Sequence, residues 1–225
     1  MELNTATAPP RHIVAILLLV VPLSQIPLDV YTPALPQMVV DLHSASAVMQ
    51  DTVTAYMLGM SLAFVPVGVI ADAWGRKPVL LSCLAVVVAT SLVCAGAGNV
   101  PFLLAMRFIQ GAAACACLVL SLAVAADCFR DNRLTSVSGL LGVAWGLAPV
   151  LAPAVGGVLV QFVSWRMVFV LIAVVSAIVA AVVAAALPET LAAGHRSPIN
   201  IAATWRTATV TLRNRVFCAL CRCSV

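Results

Sequence analysis

The feature that most constrains this chain is its repetition of long apolar runs. They extend from Ile13 to Leu35, Ala47 to Ala71, Val79 to Gly96, Phe102 to Ala126, Val137 to Phe162 and Met167 to Leu187. Each, as a helix, is long enough to cross a hydrocarbon layer of about 30 Å. A water-soluble domain could not cover so much apolar surface: 63% of the residues are hydrophobic and 9% are charged, against about a quarter charged in soluble proteins. Many of the runs are rich in valine. In lipid, however, only a helix satisfies its backbone within one segment. The expected fold class is an all-α membrane protein with six transmembrane helices.

Charge sets the expected orientation. If the spans alternate in direction, Arg11, Arg76, Lys77, Arg130, Arg133, Arg196, Arg206, Arg213 and Arg215 all fall on one side. Of the loop residues on the other side, only Arg166 is basic. The positive-inside rule puts the nine-residue side in the cytoplasm, N-terminus included, in a multi-pass protein of the cell membrane. The chain divides into a cytoplasmic N-terminus (1–12), a six-helix unit (13–190), a cytoplasmic connector (191–215) with an interfacial helix around residues 199–212, and the start of a seventh helix (216–225) too short to span. No small-residue cleavage site follows the first run, so it reads as a retained helix. Cys83, Cys94, Cys115, Cys117 and Cys128 lie in or beside apolar runs and read as small packing residues. Cys218, Cys221 and Cys223 lack a partner cluster for a metal. No metal, nucleotide or nucleophile constellation is evident, and the basic loops are explained by topology rather than by nucleic acid.

A few polar residues interrupt the spans. Asp29 sits roughly 24 Å along the first helix from Ile13, and Arg107 roughly 8 Å into the fourth from the opposite side. Both fall in the outer third of the bilayer and could face each other across a cavity, where a carboxylate can trade its proton. The blander alternatives are an interfacial helix end for Asp29 and a snorkelling side chain for Arg107. Pro22 and Pro27 are placed to bend the first span. Asp72 and Arg76 are four apart and can pair; Gly75 permits a tight turn and Pro78 can open the next helix. In the fifth span Gly139, Gly142 and Gly146 make a smooth face for a close neighbour, Pro149 and Pro153 bend the helix, and Gly156 and Gly157 add room. Trp165 and Arg166 suit the outer interface, while Pro188 and Glu189 mark the inner end of the sixth span as anchors. Near Asp51 and His43, Ser44 or Ser46 reads as a cap for the second helix.

These motifs carry a resemblance. Gly68, Asp72, Gly75, Arg76 and Lys77 match the signature loop G-x-x-x-D-x-x-G-R-K of the major facilitator superfamily. The resemblance implies a latch between two transporter halves, with Arg76 pairing an acid at the end of the fourth helix, a role that Asp127 fits by position. Arg107, Gln110 and Gly111 resemble the fourth-helix motif R-x-x-Q-G, whose Arg is tied to proton coupling. "LDVYTPALP", with Asp29, Tyr31, Pro33, Ala34, Leu35 and Pro36, resembles the first-helix signature of drug–proton antiporters of the bicyclomycin and chloramphenicol exporter type. The fifth span resembles the antiporter motif G-P-x-x-G-G, with Ala152 in place of the first Gly.

The resemblance covers roughly residues 11–190 and implies the N-terminal half of a twelve-helix transporter, built as two inverted three-helix repeats. It implies proton-coupled efflux of small-molecule drugs, with the proton gradient as driving force and no cofactor. Asp29 and Arg107 would carry coupling, and Gln25, Tyr31, Tyr56 and Gln110 would line the cavity. The partners implied are a drug, protons, the bilayer and either a C-terminal half or a second copy. Two alternatives stay open: a membrane fragment that does not transport, and a sugar or metabolite symporter on the same fold.

Overall fold

The computed structural model describes residues 11–191. The expected connector helix around residues 199–212 and the start of a seventh helix lie outside the described residues. Among the described residues there are six segments long and apolar enough to cross a membrane, and no strand. The first is His12–Asp41. The other five are single helices: α4 (Ser46–Trp74), α5 (Arg76–Ala95), α6 (Val100–Cys128), α7 (Asp131–Phe162) and α8 (Arg166–Ala186).

Most of these helices outrun the apolar stretches that announce them. α7 starts at Asp131, six residues before Val137, and α5 starts at Arg76 rather than Val79. The physical reason is simple: hydropathy marks the lipid layer, while i→i−4 bonding continues into water until something stops it. Gly75 is such a stop. Its φ of +111° lies in a region that suits glycine, and it is the only residue between α4 and α5. At the start of α6 the Asn99 side chain accepts from Phe102 N at 2.9 Å, an ordinary N-cap. The second span departs from expectation here: its N-cap position is Ala45, and neither Ser44 nor Ser46 supplies a side-chain cap.

The first span is longer than expected and is not one helix. It runs as α1 (Arg11–Val20), a 3-10 turn (Val21–Ser24), α2 (Ile26–Asp29), a second 3-10 turn (Thr32–Ala34) and α3 (Leu35–Asp41). Pro22, Pro27, Pro33 and Pro36 each stand at the first or second position of a new segment. Proline lacks the N–H that would continue the preceding turn, but it is well suited to open the next one.

Packing follows two glycine crossings. α4 lies along α6 so closely that a Cβ at Gly59 would overlap the Phe108 carbonyl, and one at Gly111 would overlap the Tyr56 carbonyl. In the other half of the bundle α7 meets the broken first span in the same manner, with Gly156 against the Val30 carbonyl. The third span, α5, packs along the sixth, α8. Spans two on four, five on one and three on six form the pattern expected when two three-helix units are related by a twofold axis in the membrane plane.

Three buried apolar clusters fill the bundle. One, at the end carrying Arg76, includes Leu17, Leu80, Leu120 and Val183. One, at the end carrying Trp165, includes Met38, Met49, Leu103 and Phe169. Between them a small group holds Leu28, Tyr56, Val87 and Ala114. α4 and α7 keep long apolar faces outside the bundle, among them Leu62 and Phe64 on one and Val150 and Phe162 on the other.

Candidate functional site

Breaking the first span leaves backbone carbonyls without helical partners inside an apolar bundle, where an unsatisfied group costs about 1–3 kcal/mol. Leu28 N turns back to Gln25 O, which leaves the Ser24 carbonyl to accept from Tyr56 Oη at 2.7 Å. α2 ends at Asp29, and the freed Pro27 carbonyl accepts from Arg107 Nη1 at 2.9 Å. Thr32 Oγ1 donates to the Leu28 carbonyl at 3.0 Å. The prolines therefore turn one stretch of backbone into acceptors for polar side chains reaching in from α4 and α6.

Arg107 is the centre of this arrangement. It is 0% exposed, so it does not snorkel to the surface as the blander reading of the sequence allowed. Its guanidinium carbon lies 4.2 Å from the Tyr31 ring centroid and 4.7 Å from that of Tyr56. Phe169 stands at 5.8 Å. Desolvated cation–π contacts of this kind contribute up to about 2 kcal/mol each. Nη1 also donates to Gln110 Oε1 at 2.7 Å, and Gln110 Nε2 donates to Ser91 Oγ at 2.7 Å. Tyr31 Oη is in turn hydrogen-bonded with Thr52.

Asp29 and Arg107 are not paired in this structure. The ion pairs among the described residues are Arg76–Asp72, Arg76–Asp127 and Arg166–Asp41. Asp29 Oδ2, Arg107 Nε and Arg107 Nη2 are each buried with no hydrogen-bond partner. Arg107 binds the proline-broken backbone, through the Pro27 carbonyl two residues before Asp29, and not the carboxylate. Tyr31, Tyr56 and Gln110 have no exposed surface and form the walls of the arginine cage; Gln25 is half-buried. A cavity of about 420 Å³ opens between the first span, α7 and α8, lined by Pro22, Ile26, Val30, Ala148 and Leu171 among others and by none of these four residues. All of its lining residues are apolar.

At the opposite end of α4 a second polar cluster forms around Gly75. Arg76 Nη1 lies 2.6 Å from Asp72 Oδ1 across the break, and Arg76 Nε lies 3.3 Å from Asp127 Oδ2. Glu189 does more than mark a helix end. Its carboxylate accepts from the backbone N–H groups of Arg76 at 3.0 Å and Lys77 at 3.2 Å, which caps the N-terminus of α5 with a negative charge. Lys77 Nζ donates to the Ala184 carbonyl at 2.8 Å. A Cβ at Gly75 would press into the Glu189 carboxylate. Gly68 faces Val119 at ordinary contact distance.

In α7 the glycines divide. Gly156 makes the close backbone crossing, and a Cβ at Gly157 would meet Pro33 at ordinary contact distance. A Cβ at Gly139, Gly142 or Gly146 would meet nothing described within 4 Å outside its own helix backbone, so the smooth face read from the sequence has no close helix against it here. Pro149 and Pro153 lie inside the helix without ending it. At the far end Asp41 was not singled out from the sequence. Its carboxylate accepts from Trp165 Nε1 at 2.8 Å and lies 3.5 Å from Arg166 Nη1. Arg166 also donates to the Ala97 carbonyl at 3.2 Å. Two other residues carry little sequence signal of their own. Gly59 carries no signal apart from its partner Gly111, and Ser91 resembles any small residue in a membrane helix.

Six apolar spans in two matched triplets, with a broken helix wrapped around a buried cation, define a membrane-transporter architecture. The family model of the Major Facilitator Superfamily matches residues 17–224, and the chain belongs to that family, one of transporters rather than enzymes. It is 33% identical over 192 residues to the uncharacterized MFS-type transporter YdgK of Bacillus subtilis, covering 84% of this chain and 48% of that protein. It is 33% identical over 173 residues to a bicyclomycin resistance protein homolog of Haemophilus influenzae, covering 77% of this chain and 44% of that one. The chain thus spans less than half the length of either relative. Among solved structures, the human organic anion transporter MFSD10 superposes with a TM-score of 0.68 at 20% identity, over 88% of this chain and 53% of the other. That likeness concerns the fold alone.

Proposed function

We propose that this chain is the N-terminal half of a proton-driven exporter of small-molecule drugs, with the Arg76 end of the bundle in the cytoplasm. The observation that carries the reading is the trio of unsatisfied atoms: Asp29 Oδ2, Arg107 Nε and Arg107 Nη2. A buried guanidinium edge and a buried carboxylate oxygen, both unpartnered and the latter two residues after the carbonyl that Arg107 binds, are costly unless another conformation joins them. Ionised Asp29 moves onto that edge; protonated Asp29 leaves it. Proton uptake and release by one carboxylate is then linked to movement of the broken first span against α4 and α6. The Gly75 cluster of Asp72, Arg76, Lys77 and Asp127 is the latch that holds one end closed. Similarity to the bicyclomycin resistance protein homolog supports a drug as cargo.

The test is drug accumulation in cells stripped of their own exporters, with membrane insertion of the chain confirmed. Lowered accumulation that collapses with a protonophore is the expected result, and Asp29→Asn abolishes it while insertion persists. Coupled export by Asp29→Asn equal to wild type would remove Asp29 from the mechanism. Unchanged accumulation over a broad drug panel would favour a membrane module that does not transport by itself.

A further inference from the structure

The guanidinium of Arg107 is held by one nitrogen only. Nη1 donates both to the Pro27 carbonyl and to Gln110 Oε1, while Nε and Nη2 have no partner. A glutamine amide can offer a neighbour either its oxygen or its NH2. Arg107 only donates, so it takes the oxygen; what anchors the NH2 is on another helix. Ser91 Oγ donates to the Val87 carbonyl at 2.6 Å and accepts from Gln110 Nε2 at 2.7 Å. A hydroxyl has one proton, and here it is committed to Val87, so toward Gln110 the oxygen can only accept. Gln110 must therefore turn its NH2 to Ser91 and its oxygen to Arg107. Ser91, Gln110 and Arg107 are all 0% exposed, and no bulk water substitutes for the missing partner if one is lost.

We propose that Ser91, on the third span, is a positioning residue for Arg107: acting through Gln110, it assigns Nη1 to the bound side and keeps the Nε–Nη2 edge free. That edge presents two parallel N–H groups, the geometry that takes a carboxylate in bidentate fashion. Without the Ser91 hydroxyl Gln110 Nε2 loses its partner, the amide is free to swing away from Nη1, and the guanidinium rotates about its own axis between the rings of Tyr31 and Tyr56. The functional weight of this device rests on the coupling role proposed for Arg107; the positioning itself does not.

The experiment uses the full chain in lipid bilayers, with arginine labelled by 15N in the guanidinium. The Arg107 signals are assigned by their loss in Arg107→Lys. In wild type, Nη1 and Nη2 give separate, slowly exchanging resonances. In Ser91→Ala they merge or shift. Gln110→Met produces the same change, and adding Ser91→Ala to Gln110→Met produces nothing further. Unaltered Arg107 resonances in Ser91→Ala would overturn the inference, as would a Ser91→Ala change that persists on top of Gln110→Met. The pH profile of drug–proton exchange is measured on the same variants. An altered spectrum with a displaced profile supports both ideas. An altered spectrum with an undisplaced profile leaves Ser91 as the positioning residue and removes Arg107 from coupling.

Discussion

Gly111→Ala adds one methyl group at the point where α4 and α6 touch. A Cβ there overlaps the Tyr56 carbonyl, which is main chain. Side chains that are overpacked can rotate away, at about 1–3 kcal/mol. A carbonyl in a helix cannot, so the helices must part, and the expected loss is at the top of that range, about 3 kcal/mol. For a chain of this size that corresponds to a fall of about 6–12 °C in melting temperature. The same separation would draw Tyr56 away from the Arg107 guanidinium, 4.7 Å from its ring centroid. Gly59→Ala strains the same crossing from the other side, through the Phe108 carbonyl. Once one methyl has forced the helices apart the second finds room, so the double variant loses clearly less than the sum of the singles. Gly139→Ala is the control. A Cβ at Gly139 would meet nothing described within 4 Å outside its own helix backbone, and alanine is the better helix former by about 1 kcal/mol, so stability holds or rises. The assay is thermal unfolding in a mild detergent, repeated as a titration with a denaturing one. Gly111→Ala melting with wild type, or Gly139→Ala falling as far as Gly111→Ala, would refute the assignment of the crossing.

Two further outcomes are expected. Glu189→Gln removes the charge that caps α5 and should cost about 1 kcal/mol, with the deficit shrinking in high salt; Asp72→Asn, at a carboxylate whose side chain is 48% exposed, should cost less, and a larger loss there in the same melts would reverse the ranking. Tyr56→Phe keeps the ring over Arg107 but strands the Ser24 carbonyl, costing about 1–3 kcal/mol; unchanged stability in detergent titration would show that this carbonyl finds another partner.

The number of spans and their approximate limits were legible because lipid selects for apolar content directly, whatever the helices pack against. The Asp72–Arg76 pair was legible from its spacing of four, whereas the Arg76–Asp127 contact was implied by the family resemblance, with Asp127 fitting by its position at the end of the fourth span. Arg107 stood out because a cation in an apolar run has no bland explanation once snorkelling is set aside. What it binds was not legible. Pro27 is a sequence signal for a broken helix, but nothing in its identity says that its carbonyl will face α6. Glu189 reads as an interfacial acid, and only its position across from Arg76 and Lys77 makes it a helix cap.

The sequence by itself determined that the chain lives in a bilayer, supplies six spans among the described residues and bends its first span at Pro22 and Pro27. These are local consequences of composition and backbone chemistry, independent of neighbours. The tertiary structure alone decided which small residues are contacts and which are open. A Cβ at Gly59, Gly111 or Gly156 would overlap main chain, while one at Gly139, Gly142 or Gly146 would meet nothing described within 4 Å outside its own helix backbone. It also decided that Arg107 is bound by a carbonyl, an amide and two tyrosine rings, with Asp29 left outside the ion pairs. The reason is geometric: hydrogen bonds and close approach depend on helix rotation and crossing point, which all six spans set together and no single stretch encodes.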